Sequence, residues 1–143
     1  MKKNLSRATA VLGAVLLAAP LMTLGGVALS ANAGAATSAR LLTCTEKLTT
    51  KPSAYILSCA DAGAGWNTMS WSRWNSTSAI GRGILRQNNC TPDCVSGKFI
   101  NYRATVTLSH VIDTKKYGDL FSKAVFHYTE GGKLRTETFG LAD

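Results

Sequence analysis

The 143-residue chain is short of the groups from which active sites are usually built. It has two histidines, His110 and His127, and eight carboxylates against sixteen Lys and Arg. It contains no G-x-S-x-G elbow, no H-E-x-x-H helix, no phosphate-cradling glycine loop and no Cys–His nucleophile pattern. Neither histidine stands beside a cysteine. Of the four cysteines only Cys90 and Cys94 are close, so the two close pairs of a structural zinc site are missing. The expectation is no metal, no cofactor and no catalytic residue. Sustained helical periodicity is missing too, which excludes an amphipathic helical core.

Charge is also absent from Ala8 to Leu29, a stretch rich in Ala, Leu, Val and Gly that follows Lys2, Lys3 and Arg7. A cationic head, an apolar run broken by Pro20 and Gly25-Gly26, and the A-x-A pattern Ala31-Asn32-Ala33 together read as a helical secretory signal peptide over 1–33. The head has no Arg-Arg pair, which favours the general export route. No cysteine closely follows the apolar run, so a lipid anchor is not indicated. The expected product is an exported, extracellular protein. Residues 34–42 are small and polar enough to predict a flexible lead-in, and 43–143 a single β-rich domain.

All four cysteines lie after the expected cut, and an even count in an exported chain reads as two disulfides. Three pairings are possible. Cys44 with Cys59 and Cys90 with Cys94 is favoured, because the tight turn Thr91-Pro92-Asp93 joins the last two.

The remaining chain reads as strands. Lys98 to His110 alternates Ile100, Tyr102, Ala104, Val106 and Leu108 with polar residues that include Arg103, the mark of one buried and one wet face. Leu120 to Glu130 and Lys133 to Phe139 flank Gly131-Gly132, a two-residue hairpin turn, and Ile112 to Asp119 reads as the exposed connection before that hairpin. Ser53 to Ala60 and Ser78 to Gln87 are further strands. In the latter, Gly81 and Gly83 share one face, which predicts a bulge or an aromatic ring lying over bare backbone. Trp66 to Trp74 is a strand whose simple alternation puts Met69 and Trp71 on one face, Trp66 and Trp74 on the other. The predicted fold is all-β: a small antiparallel sandwich or partly open barrel of five to seven strands, stapled by disulfides.

Several local patterns recur in a fixed order: Cys59-Ala60-Asp61, Trp71-Ser72-Arg73-Trp74, Gly81-Arg82-Gly83, Cys90-Thr91-Pro92-Asp93-Cys94, Gly97-Lys98-Phe99 and a Tyr and Val-rich strand from Tyr102 to Leu108. In these the chain resembles a set of small uncharacterised exported proteins of actinobacteria. The resemblance covers about half of the part beyond residue 33 and departs at Val95, where Ala is expected. It implies export, an actinobacterial source and a compact disulfide-stapled domain, and it carries no activity with it.

For function, removal of Lys2, Lys3 and Arg7 leaves 13 cations against 8 carboxylates, a net charge of +5, suited to anionic surfaces. Trp66 and Trp74, with Arg73 and Arg103, are the candidate binding residues: indoles stack on sugar rings and guanidinium groups pair with anions. The leading expectation is a monomeric, non-enzymatic, secreted binding domain, its partner an anionic cell-wall polymer or a secreted protein, with no specific nucleic acid indicated. The alternatives are a small hydrolase, nuclease or wall-degrading, built on His110, His127 and nearby Asp113 or Lys115, and an inhibitor of a secreted protease presenting the Cys90–Cys94 loop.

Overall fold

The structure, a computed structural model, describes residues 37–141. The expected signal peptide lies outside the described residues. Eight strands follow in chain order: β1 (Leu41–Leu42), β2 (Leu48–Thr49), β3 (Tyr55–Ile56), β4 (Ala64–Trp74), β5 (Ala79–Asn88), β6 (Phe99–Thr114), β7 (Gly118–Glu130) and β8 (Lys133–Gly140). Strands β3 to β8 form one antiparallel sheet in sequence order, and β1 with β2 a small second sheet. No helix occurs among the described residues.

The six-stranded sheet curls into a half-barrel. Strands three apart in a flat sheet would be separated by about 14 Å. Here Trp66 on β4 meets Phe126 on β7 with ring centroids 6.0 Å apart, and the Gln87 amide on β5 donates to the Glu137 carboxylate on β8 at 2.7 and 2.8 Å. The concave side holds the core: Trp66, Met69, Leu85, Val106, Leu108, Phe121, Ala124 and Phe126 are buried there. The alternation expected for β6 is found, with Ala104, Val106 and Leu108 facing in.

Strand β4 departs from simple alternation, and the departure reassigns its tryptophans. Its register against β5 shifts between Asn67 and Ser70 and again between Trp71 and Arg73. Each bulge adds one residue and flips the side chains that follow. At the first, Thr68 takes a left-handed backbone (φ 49°) and the Met69 amide donates to Ser53 O instead of to the sheet, at 2.9 Å. Trp66, Met69, Trp71 and Trp74 therefore all face the core, at intervals of three, two and three residues. Their rings form a chain: Trp66 to Trp71 at 5.8 Å, Trp71 to Trp74 at 4.6 Å, and Trp74 to Phe121 at 5.4 Å. Opposite them Gly81 leaves room for Trp71, since a Cβ there would lie 2.8 Å from Trp71 Cε3. Gly83 faces the bulged backbone, with Met69 Cα at 2.8 Å from its would-be Cβ.

The segment before β4 closes the open side of the core. Pro52 O accepts from both Trp66 Nε1 (3.2 Å) and Trp71 Nε1 (3.0 Å), which satisfies two indole donors that burial would otherwise leave costly. The Tyr55 ring stacks on Trp66 at 4.6 Å, and its hydroxyl donates to Leu42 O at 2.6 Å. Cys44–Cys59 fastens this segment, and Cys90–Cys94 closes the β5–β6 connection, the favoured pairing.

Two expected loops are more ordered than their composition indicates. The stretch 34–42, expected to be a flexible lead-in, is fixed from Ala39 onward. Ala39 and Leu41 are fully buried, Trp74 Nε1 donates to Ala39 O at 2.8 Å, and the Arg40 backbone bonds Asp119 O and the Phe121 amide. The physical reason is that Leu41 covers apolar surface the sheet leaves open. The connection expected over Ile112 to Asp119 shrinks to Lys115–Tyr117, because β6 runs on to Thr114 and β7 starts at Gly118.

Candidate functional site

The face of the sheet turned away from the core carries a group of cations with no ion-pair partner among the described residues. The two glycines flanking Arg82 face inward, so Arg82 faces outward. Cross-strand pairing then lays out the outer face row by row. One row runs Arg73, Ile80, Thr107, Val125, Thr138; the next Ser70, Arg82, Thr105, His127, Thr136. In a third, Ile84 stands opposite Arg103 and Thr129 opposite Leu134.

Three arginines fall on a diagonal through these rows. Arg73 is one strand and one same-face step from Arg82, and Arg82 stands in the same relation to Arg103. Each such diagonal spans about 7–8 Å, so the three cover about 15 Å of surface. His127 is diagonal to Arg103 on the other side, and its Nδ1 is 2.9 Å from Thr136 Oγ1. Arg82, Arg103, Thr68, Thr105, His127 and Thr129 line a shallow groove of about 630 Å³ on this face.

No carboxylate shares that face among the described residues. Glu46 lies in the N-terminal segment with Lys116 and Tyr117, at 3.0 and 2.7 Å, and these two neighbours hold its carboxyl below the usual range. Asp61 and Asp93 cap backbone amides in their loops, and both are lowered by those bonds. Asp113 and Asp119 face each other at the far end of the β6–β7 hairpin. Glu137 points into the concave side, where Gln87 and Tyr128 donate to it, and Glu130 accepts from Tyr102 and Arg135. Burial, aided by Glu137, pushes the Tyr128 phenol up to about 12. Both ion pairs found among the described residues, Lys116–Glu46 and Arg135–Glu130, lie off the outer face. The arginines of the diagonal are thus exposed and uncompensated, free to take an anion through their planar forks.

The sequence-predicted binding residues divide between the two faces. Arg73 and Arg103 lie on the outer diagonal. Trp66 does not: it is 2% exposed, with Tyr55, Trp71 and Phe126 against its ring, so no face is open for stacking on a sugar. Trp74 is half-buried between Trp71 and Phe121. Trp66 precedes both bulges and Trp74 follows both, so the two stay on one face; that face is the core, and the first bulge turns Met69 and Trp71 onto it as well. Arg82, the centre of the diagonal, was legible in the Gly81-Arg82-Gly83 spacing, because two inward glycines force the residue between them outward.

His110 and His127 do not converge. His127 pairs with Thr105, five residues along β6 from His110, a separation of about 17 Å at strand rise. Asp113 is three residues farther away still. Among the described residues no group of three His, Cys, Asp or Glu is placed to hold a metal ion. The Cys90–Cys94 loop projects from the β5–β6 end, and Val95 beside it is 98% exposed. Compared with known proteins, the chain matches no family model, no curated protein and no solved structure.

Proposed function

We propose that this protein is a secreted, non-enzymatic binding domain that holds a linear anionic polymer, such as a phosphate- or carboxylate-bearing polymer of the bacterial cell wall, along the Arg73–Arg82–Arg103 diagonal. The observation that carries the reading is the outer face of the sheet, on which the three arginines of the diagonal, Lys123 and His127 stand among threonines with no carboxylate between them, while a fourth arginine of that face, Arg86, lies over the Phe99 ring. A single small anion needs one arginine fork or two. Three at about 7–8 Å intervals suit a chain carrying charge at successive units. Thr105, Thr107, Thr129 and Thr136 supply hydroxyls to the neutral parts of such a chain. Two disulfides are compatible with an extracellular protein, and the N-terminal sequence and the resemblance to exported actinobacterial proteins support the same compartment.

The test is retention of the protein expressed from its full sequence on immobilised polyphosphate, polygalacturonate and uncharged dextran. Retention on the two anionic polymers, absent on dextran and lost in Arg82→Ala/Arg103→Ala, is expected. Equal retention on dextran would remove the basis of the reading.

A second reading, recognition of a secreted protease, is favoured by one observation: Val95 stands almost fully exposed beside a disulfide-closed loop. It predicts a stable one-to-one complex with a secreted protease that is lost in Val95→Asp. Unimpaired inhibition by that variant would exclude the loop.

A further inference from the structure

The two edges of the six-stranded sheet are treated differently. At the β4 edge the disulfide-fastened segment lies alongside, with Met69 N bonded to Ser53 O and Leu57 N to Ala64 O. At the other edge β8 offers eight residues, and among the described residues no backbone bond reaches its outer side. The direction of its backbone follows from Leu141, whose amide donates to Ser122 O at 3.0 Å in the register of the β7–β8 pairs. Backbone groups alternate along a strand. Leu141, Phe139, Glu137, Arg135 and Lys133 therefore turn theirs toward β7, while Leu134, Thr136, Thr138 and Gly140 turn theirs outward.

We infer that β8 pairs antiparallel with β8 of a second copy of this chain, about a two-fold axis through Thr136, to make one continuous twelve-stranded sheet. Symmetric registers that keep the two concave faces on the same side and bring outward amides to outward carbonyls place the axis through a residue of β8, and those centred on Arg135, Thr136 and Glu137 differ in how they set the strand's charged side chains against each other. With the axis through Arg135 two arginines stand opposite each other, and with the axis through Glu137 two carboxylates do, and like charges directly opposite are destabilising. With the axis through Thr136, Arg135 of each copy faces Glu137 of the other, twice. These are the non-hydrogen-bonded positions, where side chains approach most closely, at about 4.5 Å between Cα atoms. Thr136 then bonds its own counterpart and Leu134 bonds Thr138 of the other copy, six backbone hydrogen bonds in all. Leu134, 74% exposed in the single chain, gains a neighbour in Thr138. The occupant is a second copy rather than an unrelated strand because the edge is charge-complementary to itself in this one register.

The axis stands perpendicular to the sheet, so both outer faces point the same way and two arginine diagonals lie on one surface. A polymer long enough to reach both would be held by avidity. The pairing itself rests on the β8 edge alone, not on the binding reading, and is tested without any polymer.

Sedimentation of the protein expressed from its full sequence, over a range of concentrations, is expected to show a monomer–dimer equilibrium. Thr138→Pro removes one outward N–H without touching the β7 ladder, a position where an edge strand tolerates proline, and is expected to shift the protein to monomer. Arg135→Glu places four carboxylates at the axis and is expected to do the same with the edge backbone intact. Under oxidation Thr136→Cys is expected to cross-link nearly completely, its Cα atoms about 5.5 Å apart, and Leu134→Cys to remain uncross-linked. A protein that stays monomeric at every concentration, or a dimer indifferent to both Thr138→Pro and Arg135→Glu, would overturn the inference. So would slow exchange of the Leu134, Thr136 and Thr138 amides in a monomer, which would assign the edge to another segment of the chain.

Discussion

Adding one methyl group at Gly81 or at Gly83 probes the packing of bulged β4 against β5. A Cβ on Gly81 would lie 2.8 Å from Trp71 Cε3 and 3.1 Å from Met69 Cγ and Sδ. Carbon atoms pack at about 3.5–4.0 Å, so the ring must retreat by roughly 1 Å. Trp71 has little freedom to do so, being wedged between Trp66 and Trp74 and tied to Pro52 O. Overpacking of this kind costs about 1–3 kcal/mol, and replacing glycine returns up to about 1 kcal/mol through the unfolded chain. Gly81→Ala should therefore lose about 1–2 kcal/mol. At Gly83 the obstacle is backbone, with Met69 Cα at 2.8 Å and Met69 N and Asn67 O at 3.0 Å. A bulge has no rotamer with which to yield, so Gly83→Ala should lose more, about 2–3 kcal/mol. Urea unfolding followed by tryptophan fluorescence would rank them: parent, then Gly81→Ala, then Gly83→Ala. A Gly83→Ala protein as stable as its parent would refute the inward-facing tryptophan chain.

Removing the Cys44–Cys59 link with two alanines should cost about 3 kcal/mol for its 15-residue separation; thermal unfolding measures the loss, and an unchanged midpoint would mean that the Pro52–tryptophan bonds alone hold the segment. Burial pushes the phenols of Tyr55 and Tyr128 up to about 12 from 10.0. A proton held more tightly in the folded state contributes stability that is complete below about pH 10 and lost as pH rises through 12, so phenolate absorbance should lag in the folded protein and complete only with unfolding. Arg82→Ala and Arg103→Ala, at exposed and unpaired positions, should each change stability by no more than about 0.5 kcal/mol, which denaturant midpoints would check and which separates any binding loss from misfolding.

What the sequence disclosed and what it hid follow one distinction. The middle of β6, Tyr102 to Leu108, alternates without interruption, and Gly131-Gly132 has the chemistry of a hairpin turn, so both were readable from local pattern. Gly81 and Gly83 signalled a ring and a bulge on their inner face, and Trp71 with the Met69 backbone supply them. That Trp66, Met69, Trp71 and Trp74 share one inner face was not readable. Two bulges in β4 make inward positions recur at three, two and three residues, and nothing in WNTMSWSRW marks where the extra residues fall. A partly open barrel was one of the two expected forms, and the choice between it and a sandwich was hidden for a related reason: it is visible only in contacts between strands three apart, such as Gln87 with Glu137. For the site, Arg73 and Arg103 were named as separate cations. Their alignment through Arg82 depends on the register of three strands, which no single strand's pattern contains.

The salt dependence of polymer binding isolates what the arginine diagonal contributes. With polyphosphate as the probe, the logarithm of the association constant should fall linearly with the logarithm of salt concentration, because each paired phosphate releases a counterion. The slope of the parent should exceed that of Arg82→Ala by about one, and that of Arg73→Ala/Arg82→Ala/Arg103→Ala by about three. Parallel lines for the parent and the triple variant, with equal affinity, would show that the outer face of the sheet is not where the polymer binds.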